Sequence, residues 1–146
     1  MLSALGSSWV SPALGAGLAI AVHYMFLRAA SGRLGDALGA LILEGTATVG
    51  IAIYYVVHRA SVVATTVQGI LYSVASGLGI SVASILFFAA LRRGGPVAST
   101  GTIVLGGGVA LSALVAPFIF GEAMTVRRVL GVGLGICAIA VLSTER

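Results

Sequence analysis

The sequence has 146 residues, of which 59% are hydrophobic and 8% charged, with a formal net charge of +4 and a mean hydropathy of +1.15. A water-soluble domain carries roughly a quarter charged residues to keep its surface hydrated, so this composition excludes an ordinary soluble fold and calls for hydrocarbon as solvent. The positive charge comes entirely from Arg, placed singly or in pairs between apolar runs; this pattern offers no contiguous basic face for nucleic acid and reads as anchoring at the bilayer edge.

Met1 to Ser8 contain no Lys or Arg and so lack the basic n-region of a cleavable signal peptide. The first apolar segment, Trp9 to Leu27, is therefore predicted as a retained helix, with Trp9 at the membrane interface and Pro12 tolerated near its first turn. It ends at Arg28, Arg33 and Asp36. The second segment runs from Ala37 to Val57, with Tyr54 and Tyr55 as an aromatic belt before His58 and Arg59. The third spans Thr66 to Leu91 and stops at Arg92, Arg93, Gly94, Gly95 and Pro96. The fourth covers Val97 to Phe120, where Gly106 to Gly108 and Pro117 are expected to give pliancy. Gly121 to Thr125 break the pattern, and the fifth segment covers Val126 to Leu142, before a stub ending in Glu145 and Arg146.

Each segment has the roughly 17 to 25 residues that cross a hydrocarbon core as a helix. The short alternating strands of a membrane barrel are not present. The expected fold is all-α: one transmembrane domain over residues 1–146, a bundle of five transmembrane helices. Short gaps make successive helices antiparallel, and an odd number of spans puts the termini on opposite sides. One side holds Arg28, Arg33, Arg92, Arg93 and Arg146 and the other Arg59, Arg127 and Arg128. The positive-inside rule assigns the larger group to the cytoplasm, by a bias small enough to allow insertion both ways.

The glycines sit inside apolar runs, where small residues let helix backbones approach closely. Gly131 and Gly135 form a Gly-x-x-x-Gly pattern on the last segment, a candidate contact for helix packing or for a dimer. Cys137 lies in the same run; a lone cysteine excludes an intrachain disulfide framework.

The run Leu86 to Leu91 (Leu-Phe-Phe-Ala-Ala-Leu), then Gly95 to Ser99 (Gly-Pro-Val-Ala-Ser), then Gly121 and Glu122 followed by Arg127, Arg128 and Gly131 resembles the EamA-like half of the drug/metabolite transporter superfamily. The likeness covers the whole chain in span number and spacing, and Leu86 to Leu142 in motifs. Ala138 stands where that family often has a second glycine. Typical members have two five-helix halves of opposite orientation around a central substrate path. The resemblance thus implies a half-size carrier that completes itself by pairing with a second copy, in the inverted orientation or not, or with a related chain.

Glu44 lies about a third of the way into the second segment. An acidic group at a helix centre costs roughly 2.5 to 3.5 kcal/mol on insertion scales, so it should face the bundle interior, where hydrocarbon favours its neutral form. A carboxyl that gains and loses a proton as access alternates is the functional reading. A protonated Glu hydrogen-bonded for packing, with Thr48 one turn on, is the alternative. His23, beside Tyr24 and one turn before Arg28, is a candidate proton relay or an interfacial histidine; His58 reads as interfacial. Gln68, Tyr72 and Ser76 are spaced by four and share one helical face. They either line a substrate path or hydrogen-bond between helices, as Ser73, Ser81 and Ser84 do in the packing reading. Glu122 and Thr125 read as a structural cap on the fifth helix.

No Ser/His/Asp set, metal-ligand cluster or phosphate loop is present, and Gly15 and Gly17 do not extend into a dinucleotide fingerprint. The sequence therefore supports no enzyme activity, no metal and no cofactor. The expectation is a small secondary transporter in the cell membrane (the inner membrane of a bacterium, if the source is prokaryotic), with lipids, a small-molecule substrate and a second chain as partners and no nucleic acid. The competing expectation is a non-transporting membrane subunit that scaffolds or stabilises a partner.

Overall fold

The computed structural model describes residues 10–58 and 65–144. The readings made for Met1 to Ser8, Trp9, Arg59, Glu145 and Arg146 lie outside them. Five α-helices follow in order: α1 (Val10–Ala30), α2 (Asp36–Val57), α3 (Val67–Arg92), α4 (Val97–Phe120) and α5 (Val126–Leu142). The helix ends fall within three residues of those read from the sequence. The first four are 21 to 26 residues long and apolar enough to cross a membrane, the make-up of a multi-pass membrane protein. α5 has 17 residues, which at 1.5 Å per residue is about 25 Å against a hydrocarbon core of about 30 Å.

Helix ends are set by local chemistry. Thr66 and Thr125 cap α3 and α5, their hydroxyls accepting from the backbone N–H of Gly69 at 3.0 Å and of Arg128 at 3.2 Å. At the end of α4 the chain turns through Gly121 at φ +64°, a left-handed conformation that a side chain would strain. α4 continues as helix through Pro117. Gly32, φ +79°, makes the turn between α1 and α2 in the same way.

The helices group into two compact units, residues 30–93 and residues 1–29 with 94–146. In the first, α2 and α3 form an antiparallel hairpin whose packed residues are Gly39 and Ala40 on α2 and Phe87, Phe88 and Leu91 on α3. A methyl group at Gly39 would come within 2.8 Å of the Phe88 ring and of the Leu34 side chain. The missing side chain is therefore what admits the aromatic. In the second unit, α4 packs on α5, and its first turns bury Ser99, Thr100 and Gly101. A methyl at Gly101 would lie 2.7 Å from the Tyr24 ring of α1. Gly39 and Gly101 thus do for these contacts what the sequence assigns to Gly131 and Gly135.

Candidate functional site

The α2–α3 hairpin is held by three successive rungs. At its helix-end side the Asp36 carboxylate takes a bidentate grip from Arg92, with Nε 2.9 Å and 3.0 Å from the two oxygens and Nη2 2.6 Å from Oδ2. One turn further in, Phe88 enters the notch at Gly39. Beyond that, the Ser84 hydroxyl donates to Glu44 Oε1 at 2.5 Å, a strong O–H···O distance. Each step of about four residues up α2 is matched by four back along α3, which is what an antiparallel register requires.

The rungs also fix spacing along α2. Glu44 is eight residues from Asp36, about 12 Å along a helix axis. Glu44 is half-buried, and among the described residues its second oxygen has no hydrogen-bond partner. One oxygen is tethered and the other is available to a proton or to a cationic or hydrogen-bonding group. Thr48 does not join this pair, since its hydroxyl donates to the Glu44 backbone carbonyl at 2.8 Å. This is the ordinary back-bond of a threonine inside a helix.

Beyond Glu44 and Ser84 the hairpin changes character. Residues 45–58 and 65–82 are exposed throughout. Gln68, Tyr72 and Ser76 stand on that length of α3, and their side chains make no hydrogen bond among the described residues. The structure therefore does not bring them to Glu44. At the far end of α2, Tyr54 stacks on His58 with ring centroids 4.2 Å apart, and His58 Nδ1 donates to the Tyr54 carbonyl at 3.1 Å.

The remaining residues singled out in the sequence belong to the other unit. His23 is half-buried with its ring 5.4 Å from that of Tyr24. Glu122 pairs with Arg128, one turn into α5, so its carboxylate is committed to a side chain beside the helix start that Thr125 caps. Gly131 and Gly135 have no neighbour within 4 Å of where a side chain would begin. They line a concavity of about 380 Å³ between α4 and α5, together with Gly106, Ala110, Val132 and Arg128. Among the described residues no three His, Cys, Asp or Glu side chains converge as metal ligands would.

The sequence reading gave Ser84 an interhelical hydrogen bond but not its partner, which is Glu44. Ser84 is one of several serines on α3, and only the 36–92 register distinguishes it. Opposite charges at the mouths of two consecutive apolar segments were the signal that could have set this register. Comparison of the chain with protein-family models, with curated proteins and with solved structures found no match.

Proposed function

We propose that this chain is a small secondary transporter of the half-size, EamA-like kind, with α5 completing five spans and a second chain completing the carrier. The cargo is a small metabolite, drug or lipid-linked compound, and movement is coupled to protons through Glu44. The observation that carries this reading is the Glu44–Ser84 pair, a tethered carboxyl with one open oxygen about 12 Å along α2 from an ion pair. An acid inside a membrane-spanning helix is costly, and exchange of one proton per access cycle is a use such a group suits. The Gly131–Gly135 seam of α5 is open to a helix of the second chain, which is a copy in either orientation or a related protein.

The same bond favours a second reading, a membrane subunit that does not transport and in which Glu44 only clamps α2 to α3 for a partner's benefit. Glu44→Gln separates the two, because the amide still accepts from Ser84 but cannot titrate. In liposomes loaded with a pH-sensitive dye, a panel of cationic drugs, amino acids and nucleosides should include a compound that discharges an imposed pH gradient. Carriage predicts that Glu44→Gln abolishes the discharge with assembly unchanged. Discharge undiminished in the variant removes Glu44 as the coupling group, and no discharge by any compound favours the scaffold.

A further inference from the structure

We infer that Ser84 is a positioning residue for proton exchange at Glu44: it holds Oε1 through both protonation states and so assigns the proton to Oε2. This role rests on the proposed reading of Glu44 as a proton-exchanging group, and adds to it the atom at which exchange takes place. The ground is how the Ser84 hydroxyl spends its one proton. A serine or threonine inside a helix ordinarily donates to a carbonyl one turn back. Neighbouring hydroxyls do so, Thr48 to the Glu44 carbonyl at 2.8 Å and Ser81 to the Gly77 carbonyl at 2.9 Å. Ser84 donates across to α2 instead, to Glu44 Oε1 at 2.5 Å.

Packing fixes that choice. One turn along α3 from Ser84, Phe88 fills the notch at Gly39, and one turn further Arg92 grips Asp36. The hydroxyl is therefore carried on a helix face already locked against α2. The nearest charged groups on the two helices, Asp36 on α2 and Arg92 on α3, are each eight residues along from the Glu44–Ser84 pair and engaged with each other. The next titratable side chains, Tyr54 on α2 and Tyr72 on α3, are ten and twelve residues away. A carboxylate only accepts hydrogen bonds, whereas a neutral carboxyl presents one O–H and one carbonyl oxygen. With Ser84 already donating to Oε1, the arriving proton bonds to Oε2, Oε1 becomes the carbonyl, and the bond from Ser84 persists. The charge changes while the rung stays closed.

Infrared difference spectroscopy of the full chain in liposomes, between acid and neutral pH, tests this. The carboxyl C=O band of protonated Glu44 is identified by its loss in Glu44→Gln. In the wild-type chain this band should lie at the lower frequency of a hydrogen-bonded carbonyl. Ser84→Ala should shift it upward, and Ser84→Thr, which keeps a hydroxyl, should leave it near the wild-type position. Ser84→Val, with the shape of threonine and no hydroxyl, should behave as Ser84→Ala, which separates the hydrogen bond from packing. A band at the unbonded frequency in the wild type, or one that Ser84→Ala leaves unmoved, overturns the role of Ser84 while leaving Glu44 a proton acceptor. If no band disappears in Glu44→Gln, Glu44 takes up no proton, and the proton reading falls together with this one.

Discussion

The two halves of the α2–α3 hairpin solve the problem of a membrane-spanning helix differently. The half that runs from Asp36 to Glu44 and from Ser84 to Arg92 is closed by an ion pair, an aromatic ring in a glycine notch and a carboxyl–hydroxyl bond. The other half, 45–58 with 65–82, has no buried residue and yet carries Gln68, Tyr72 and Ser76. Glycine occurs in both and means different things. Gly39 is filled by Phe88, whereas Gly45, Gly50, Gly77 and Gly79 face open space. The closed half builds a fixed site, and the other half stays exposed.

Several substitutions break or sharpen this contrast. Gly39→Val drives a branched side chain into Phe88 and Leu34, where overpacking costs about 1 to 3 kcal/mol. The loss should appear in thermal unfolding in detergent and be partly restored by adding Phe88→Ala. Ser84→Ala removes one interhelical bond and should cost about 0.6 kcal/mol. In a double-mutant cycle with Glu44→Ala the two effects should be less than additive, and additivity would mean the pair does not hold the hairpin. Asp36→Asn should lower stability by less, and the difference should shrink as salt is raised, because Arg92 is largely exposed and exposed ion pairs are screened. Gly77→Ala on the uncovered half should leave the stability of the single chain unchanged or slightly raised, since alanine is the better helix former. A large loss there would show that the half is packed after all.

Much of this architecture could be read from the sequence, for a simple reason. Apolar runs of bilayer length between charged breaks define helices with little help from tertiary context, and a threonine ahead of an apolar run, as at Thr125, marks a helix start. The place of Glu44, about a third of the way along α2, was legible on the same grounds. Its partner was not, because Ser84 is forty positions away and lies opposite Glu44 only through a register that pairs Asp36 with Arg92. The close approaches at Gly39 and Gly101 were hidden for another reason. With 21 glycines in the chain, pattern alone favours the tidy Gly131–Gly135 spacing, while the residue that matters is set by which aromatic ring faces it. The packing also gives a local account of part of the stretch from Leu86 to Gly131: Phe87, Phe88 and Leu91 are buried in the α2–α3 unit, and Gly121 makes a left-handed helix end.

A Glu44 carboxyl immersed in hydrocarbon is the premise of the proposed carrier. Labelling with a membrane-soluble carbodiimide, which modifies protonated carboxyls in apolar surroundings, tests this without knowledge of the cargo. The chain has only four acidic residues, so mass mapping resolves the site. Modification of Glu44 by the apolar reagent in native-like bilayers, with resistance to a water-soluble carbodiimide, is the predicted result. Ready modification of Glu44 by the water-soluble reagent, or none by the apolar one, would contradict it.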